Sequence, residues 1–238
     1  PNLNKRSGAY SSGSYDTKPF VLLNYTNEYN DVSTLAHELG HSMHTYFSNH
    51  YNDYETSIYP IFLAEIASTV NELLLSYYME DNAKTKDEKL FILNERLDMF
   101  KATIFRQTMF AEFEKHIHEL TDKGEVLTSD GICNYYYELN KLYFGPNVVV
   151  DDEVRYECLR IPHFYTSFYV YKYATGLSIA SYIVKNILNN TPNFKEKYLE
   201  FLKSGGRDYP LEVLKIIDIN LTDTKVFDEA MEMFKETL

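Results

Sequence analysis

Apolar residues recur along most of the chain at the three- and four-residue spacing of amphipathic helices. The clearest example is a set of four apolar residues spaced four apart: Leu35, Leu39, Met43 and Phe47. This spacing predicts a helix over about residues 32–48, with Asp31 or Ser33 as its N-cap. Pro60 suits the first turn of a second helix that runs to about Tyr78. Because only a modest loop joins the two helices, we expect them to pack together.

The same periodicity predicts further helices in the rest of the chain. One of them follows Pro162 and is rich in aromatic residues. These helices cover about residues 86–120, 129–142, 162–189, 193–203, 209–217 and 224–237. Strand formers are concentrated in the short run Pro19–Tyr25, which predicts a loop or hairpin near the N-terminus. The pattern therefore indicates a mainly α protein with a small N-terminal strand or hairpin element, forming a single domain over residues 1–238.

The charge balance bears on the class of partner. The chain has 23 Lys and Arg residues against 35 Asp and Glu residues, a net charge of 23 − 35 = −12. The longest basic cluster is the pair Lys5-Arg6. Phosphate backbones are bound through clustered basic residues, so we expect no nucleic-acid partner.

Cysteine content and hydropathy bear on the compartment. Two cysteines, Cys133 and Cys158, are too few for a disulfide framework in 238 residues, so buried free thiols in a reducing compartment are expected. The first fifteen residues lack the apolar core of a signal peptide, and no apolar run reaches the length of a membrane span. The expected location is the cytoplasm, without membrane association.

A chain of this length can fold on its own hydrophobic core. A bound metal would therefore serve a function and would not be needed for folding.

The segment His37-Glu38-Leu39-Gly40-His41 is an H-E-x-x-H motif inside the best-supported helix. At 100° per residue, its two histidines lie about 40° apart on one face, where both imidazoles can reach one Zn²⁺. Glu38 lies beside this face and can accept the proton of a water molecule that zinc activates. Gly40 leaves room for another helix to approach closely.

A catalytic zinc uses a third protein ligand. His44 on the same helix is a poor candidate, because three ligands would then extend over seven residues, about 10 Å of helix. It is better placed behind the ligands or against the first tyrosines of the next loop. Glu65 lies between apolar residues in the second helix, where a buried carboxylate needs a cation. Glu72, two turns further along nearly the same face, is its rival, and Glu55 in the loop is a more distant one.

Four segments of the chain resemble the catalytic region of oligoendopeptidase F and the wider thimet-oligopeptidase-like family of zinc metallopeptidases. The resemblance implies a helical zincin-type catalytic domain that hydrolyses internal bonds of short peptides. It also implies one Zn²⁺ per chain, bound by His37, His41 and Glu65, with Glu38 as general base. The matching segments are Lys5–Tyr10, His37–His44, Phe62–Ser68 and Arg160–Tyr165 followed by Tyr169-Val170-Tyr171.

The resemblance further implies that a histidine and a tyrosine of the late aromatic segment line the cleft opposite the metal. We expect these to be His163 and Tyr171, although aromatic stripes on helices are usually core. Pro162 would begin the aromatic helix and place His163 in its first turn. A phenol there would help to stabilise the oxyanion of the tetrahedral intermediate. The loop Gly8–Tyr15 is either a backbone platform for an extended peptide or a frayed terminus.

Members of this family are much longer than 238 residues, and their helical N-terminal portion forms the other wall of the cleft. The chain therefore resembles a catalytic fragment, and the missing N-terminal region is an expected partner besides the peptide substrate. Two alternatives remain open. One is a zinc carboxypeptidase of related helical fold, and the other is a non-catalytic peptide-binding domain, against which the intact Glu38 argues.

Overall fold

The computed structural model describes residues 3–238, and helices make up most of it. Its α-helices are α1 (Tyr29–Tyr51), α2 (Tyr54–Ser57), α3 (Ile61–Asp81), α4 (Lys86–Phe100), α5 (Arg106–Asp122), α6 (Ser129–Phe144), α7 (Tyr171–Leu188), α8 (Phe194–Lys203), α9 (Pro210–Leu214) and α10 (Lys225–Thr237). A π-helical segment, Lys101–Phe105, lies between α4 and α5, and 3₁₀ helices cover Asp152–Arg160, Pro162–Tyr165 and Lys215–Ile217. Within residues 3–238 no helix combines the length and the apolar character that a membrane span requires.

Two short strands form the N-terminal hairpin that the sequence predicts. Strands β1 (Tyr10–Ser12) and β2 (Phe20–Leu22) pair antiparallel, with Ser11 opposite Val21. The Ser11 and Ser42 hydroxyls lie 2.9 Å apart and join the hairpin to α1. The mainly α prediction with one small strand pair is confirmed.

The described residues divide into two compact units. The first comprises residues 3–98 together with Gly176–Leu238, and the second comprises Met99–Thr175. The single catalytic domain expected over residues 1–238 stays a prediction. In the second unit, α5, α6 and the 3₁₀ segments enclose an apolar cluster that contains Phe113, Tyr136 and both cysteines, which are free thiols as expected.

Helix α1 begins earlier than predicted, so the predicted caps are wrong. Its N-cap is Glu28, and Asp31 occupies the third helical position as part of a capping box. The Asp31 carboxylate accepts hydrogen bonds from the Glu28 and Thr26 backbone N–H groups. These bonds begin the helix three residues before the position that apolar spacing indicates. The side chain of Ser33, the other predicted cap, instead donates to Glu72.

Helices α1 and α3 touch through backbone at Gly40. A Cβ atom at this position would lie 2.5 Å from the Ser68 Cα atom and 2.6 Å from the Ala67 carbonyl oxygen. Real Cβ atoms do not approach so closely, so only glycine allows this contact. Asn71 of α3 strengthens it by donating its amide to the Ala36 carbonyl at 3.2 Å. The expected packing of the two helices, and the room that Gly40 provides for it, are confirmed.

His44 is fully buried on the side of α1 that faces α8. Its imidazole stacks on the Tyr59 ring at 3.7 Å, and the Phe201 ring lies 5.5 Å away. His44 thus packs against a tyrosine of the loop, as expected, but the partner is the last one, Tyr59, and not one of the first. Burial, together with the nearby His41, lowers the pKa of His44 to about 3, so the ring is neutral in the folded state.

The aromatic helix predicted from Pro162 to about Asn189 is interrupted. Pro162 begins a separate 3₁₀ turn that ends at Tyr165, and α7 starts only at Tyr171. Between them Phe168 has a left-handed backbone with φ of 54°. His163 is therefore not in the first turn of the aromatic helix, and that prediction is wrong. No Gly or Pro lies between Tyr165 and Tyr171, so the strongest signals of a turn are absent from this stretch.

Gly40→Ala should weaken the contact between α1 and α3. The new methyl group would overlap α3 backbone, and overpacking of this kind destabilises a protein by about 1–3 kcal/mol. Urea unfolding measures the loss of free energy. Gly176→Ala in α7 is the matched control, because its Cβ would meet only the Glu65 Cβ atom at an ordinary 3.8 Å. Equal stabilities of the two variants would contradict the close contact.

His44→Phe should reduce the loss of stability in acid. The folded pKa of about 3 lies below the unfolded value of about 6.5, so between these limits the unfolded chain binds the extra proton. Protonation of His44 in the unfolded chain therefore lowers the free energy of unfolding as the pH falls. The decrease is about 2 kcal/mol between pH 7 and pH 5. Phenylalanine keeps the stacking on Tyr59 and removes the pH-dependent contribution of His44 to stability. Identical pH dependences in urea unfolding of the metal-free proteins would contradict a neutral buried ring.

Candidate metal centre

Two helices bring three ligand atoms together in the first unit. His37 and His41 project from α1 one turn apart, and Glu65 projects from the second turn of α3. The Nε2 atoms of the two histidines are 3.1 Å apart. The Glu65 Oε2 atom lies 3.6 Å from His37 Nε2 and 3.9 Å from His41 Nε2. This is the only group of three such ligands that residues 3–238 contain.

The three separations fit one tetrahedral zinc ion. Zinc binds imidazole nitrogen and carboxylate oxygen at about 2.0–2.2 Å, and tetrahedral ligands at that distance are about 3.4 Å from each other. The observed separations of 3.1, 3.6 and 3.9 Å bracket this value. Two imidazoles and one carboxylate are also a donor set of catalytic zinc sites, which leave a fourth position open.

A second carboxylate orients His37 from the opposite side of its ring. The Nδ1 atom of His37 lies 2.5 Å from Glu72 Oε1, and the Ser33 hydroxyl donates to Glu72 Oε2 at 3.2 Å. When its Nδ1–H donates to Glu72, the neutral ring carries no proton on Nε2 and presents that lone pair to a metal. Carboxylate partners of this kind fix the tautomer of a metal-ligating histidine and increase its basicity.

The electrostatics of the cluster favour a cation. Burial lowers the pKa of His37, but the hydrogen bond and charge of Glu72, with the charges of Glu65 and Glu38, outweigh it and raise the pKa. Burial and the neighbouring His37 lower the pKa of His41 to about 4. Burial raises the pKa of Glu65, and the charges of Glu72 and Glu38 add to that rise. Carboxylates held this close repel one another, and a divalent ion would relieve the repulsion.

Glu38 is buried beside the cluster, with 7% of its surface exposed. Its charge acts on both His37 and Glu65, which places it within electrostatic reach of the prospective metal position. Its helical position, one residue after His37, turns its side chain about 100° around the helix from that of His37 and about 60° from that of His41. The carboxylate is therefore placed beside the ligand cluster and outside the set of three ligand atoms.

The other candidate ligands lie elsewhere. Glu72 contacts the ring nitrogen of His37 that faces away from Glu65. His44 is stacked on Tyr59, and Glu55 is exposed in the first turn of α2. Sequence spacing put Glu72 on nearly the same face of α3 as Glu65. Only the crossing of α3 over α1 decides which of the two carboxylates meets which side of the His37 ring.

In the second unit, His163 belongs to an aromatic group with Tyr169 and Tyr173. The Tyr173 hydroxyl lies 3.3 Å from His163 Nε2. The His163 ring is 5.9 Å from the Tyr169 ring and 5.8 Å from the Tyr173 ring. Tyr171, the tyrosine favoured by the sequence, is the first residue of α7 and is 41% exposed. Tyr173 was missed as the partner of His163, because the turn that brings it back carries no sequence signal.

Comparison with known proteins gives a consistent relationship over the whole chain. Residues 1–233 match peptidase family M3. Oligopeptidase PepF of Bacillus subtilis is 46% identical over 237 residues, which cover 100% of this chain and 35% of the relative. The plasmid-encoded oligoendopeptidase F of Lactococcus lactis subsp. cremoris is also 46% identical, with 39% of its length covered.

Solved structures agree. A peptidase structure from Chlamydophila abortus superposes with a TM-score of 0.91 at 47% identity, covering 100% of this chain and 40% of that one. Oligoendopeptidase-F from Enterococcus faecium superposes with a TM-score of 0.78 at 44% identity, covering 87% of this chain and 38% of that one. The chain thus spans about two fifths of the length of these relatives or less. With a match over residues 1–233 and these superpositions, the chain belongs to peptidase family M3.

Proposed function

We propose that the chain is the catalytic part of a zinc-dependent endopeptidase that hydrolyses internal bonds of short peptides. The observation that carries the proposal is the convergence of His37 Nε2, His41 Nε2 and Glu65 Oε2 within 3.9 Å of one another, with the buried Glu38 beside them. This arrangement needs no rearrangement to accept a tetrahedral metal ion. Membership of family M3 and relatives named oligopeptidase or oligoendopeptidase support the substrate class.

The residues of the chain divide the chemistry among them. A bound Zn²⁺ supplies Lewis-acid chemistry, polarising a carbonyl and bringing the pKa of a water molecule towards about 7. His37, His41 and Glu65 would hold the ion, and Glu72 would keep His37 in the tautomer that can bind it. Glu38 takes a proton from the attacking water and later gives it to the leaving amine. From the family resemblance we further propose that His163 and Tyr171 donate to the oxyanion that develops on the scissile carbonyl.

Elemental analysis and peptide hydrolysis together test the proposal. The purified chain should contain one zinc per molecule, and His41→Ala should abolish the metal content. Glu38→Gln should keep the metal and lose about 10²–10⁴-fold in turnover, because the amide cannot act as a base. A quenched peptide with both termini blocked separates endopeptidase from carboxypeptidase action. Loss of zinc in Glu38→Gln as complete as in His41→Ala would refute the division of roles.

Substitution of the two α3 carboxylates separates ligand from orienting residue. Glu65→Ala removes a ligand and should weaken zinc binding most. Glu72→Ala leaves all three ligand atoms and should weaken binding by about 10- to 100-fold, as loss of an outer partner does. Competition with a chromogenic chelator measures both affinities. Glu55→Ala, an exposed carboxylate of α2, is the control and should leave affinity unchanged. A larger loss of zinc affinity in Glu72→Ala than in Glu65→Ala would show that Glu72, and not Glu65, is the third ligand.

Tyrosine substitutions identify the oxyanion donor. We propose Tyr171 as the donor and Tyr173 as the residue that orients His163, with which it is hydrogen-bonded. Tyr171→Phe should then lower kcat by about 100-fold or more with KM nearly unchanged, as loss of one such donor does. Tyr173→Phe should have the smaller effect. The opposite ranking, with zinc still bound in both variants, would transfer the donor role to Tyr173.

The length of the relatives motivates a test of activity in the chain alone. Because the chain covers 35% of PepF of Bacillus subtilis, substrate orientation and water exclusion would be incomplete without the remainder. Hydrolysis of a quenched heptapeptide by residues 1–238 should be weak. Addition of the N-terminal region in trans, taken from a relative, should restore it. Full activity of the isolated chain would show that this region is dispensable.

A further inference from the structure

The loop between the Pro162–Tyr165 turn and α7 has an unusual backbone for its sequence. Phe168 adopts φ of 54°, in the left-handed region that aromatic residues rarely occupy. Such a conformation persists only where surrounding contacts impose it. The residues that flank it, His163 before and Tyr169 and Tyr173 after, form the aromatic group of the second unit. Contacts that impose the backbone conformation of Phe168 therefore also position this aromatic group.

One face of α5 supplies those contacts. Glu114, only 1% exposed, accepts a hydrogen bond from the Phe168 backbone N–H at 2.6 Å across 54 residues of sequence. The His118 ring lies 4.6 Å from the Phe168 ring. Phe110 and Phe113 enclose Phe164, with ring centroids 5.5 and 5.1 Å away. These four α5 residues recur at i, i+3, i+4 and i+8, the spacing of one helix face.

The two anchors lie on either side of the bend. Phe164 directly follows His163, and Phe168 directly precedes Tyr169. The aromatic contacts of Phe164 act on its side chain, so they hold the segment against α5 without bonding to its backbone. The hydrogen bond from the Phe168 N–H to Glu114 is directional and acts on the backbone itself. It is the contact best suited to specify the left-handed bend, and with it the register of His163 against Tyr173.

We propose that Glu114 is a positioning residue, which acts through the Phe168 backbone to hold the His163–Tyr173 pair in the geometry for catalysis. The expected effect of Glu114 on kcat rests on the proposed function, whereas its expected effect on the His163–Tyr173 contact does not. Glu114 lies in a unit that does not contain His37, His41 or Glu65. Substitution of Glu114 should therefore leave the zinc content at one per chain. It should change only the catalytic step that the His163–Tyr173 pair assists.

Three variants separate positioning from general stability. Glu114→Met fills a similar volume without an acceptor, Glu114→Gln keeps an acceptor oxygen, and Glu112→Ala is the control. Glu112 is an exposed carboxylate of α5 that accepts a hydrogen bond from the Tyr143 hydroxyl of α6. In ¹³C-histidine-labelled protein, with His163→Asn to assign the resonance, we expect the nuclear Overhauser effect between His163 and Tyr173 in the wild type, Glu114→Gln and Glu112→Ala. It should be lost in Glu114→Met.

Kinetics provide the second readout, measured with the N-terminal region supplied. A misplacement of about 1 Å costs on the order of 100-fold in rate, so Glu114→Met should lower kcat on that scale with KM nearly unchanged. Glu114→Gln should recover most of it. An unchanged His163–Tyr173 contact in Glu114→Met, or equal losses in Gln and Met variants, would overturn the proposal.

Two further outcomes are distinguishable. If Glu114→Met does not fold, the chemical shift of the Phe168 amide proton tests the proposal instead. This resonance should lie far downfield in the wild type and move upfield in Glu114→Gln. A chemical shift that is the same in both proteins would overturn the proposal. If the spectroscopic predictions hold but the wild type hydrolyses no peptide even when the N-terminal region is supplied, positioning by Glu114 stands. In that case the proposed function fails.

Discussion

The close approach of α1 and α3 at Gly40 is the constraint on which the candidate metal centre depends. The backbone of Ser68 and Ala67 occupies the space that a side chain would fill. Since Glu65 lies one turn before Ser68, the depth of this contact sets how near its carboxylate comes to His37 and His41. A separation larger by one methyl group would move the carboxylate out of range of a shared ion, because zinc ligands tolerate only small changes in distance. The absent side chain at residue 40 thus matters as much to the site as the three ligands.

Around that contact the protein concentrates negative charge. Glu38, Glu65 and Glu72 surround two imidazoles, and all three raise the pKa of His37. The carboxylates differ in what they touch: Glu65 lies near the Nε2 atoms of both histidines, Glu72 contacts the opposite nitrogen of His37, and Glu38 is buried one residue after His37. The same chemical group can therefore serve as ligand, as orienting partner and as base, according to its position on two packed helices.

The second unit uses a similar principle with different chemistry. A buried carboxylate of α5 binds backbone, and apolar rings of the same helix face hold the neighbouring segment. In each unit a helix makes directional contacts with the segment that carries the side chains of interest: α3 contacts α1 in the first unit, and α5 contacts the loop that contains Phe168 in the second. Loops that carry functional groups depend on such a scaffold for their precision.

The local pattern of the chain was enough to predict the mainly α fold, the terminal hairpin and the H-E-x-x-H helix, because apolar periodicity and the spacing of His37 and His41 are properties of a single element. Family resemblance supplied Glu65 over Glu72, a choice that spacing alone left open. What local pattern missed depends on contacts between distant segments: the cap at Glu28, the bond between Glu72 and His37, and the break at Phe168. The last is imposed by a carboxylate 54 residues away. Neighbouring residues determine helical periodicity, whereas only the packed chain decides which distant side chain satisfies a given N–H group or ring nitrogen.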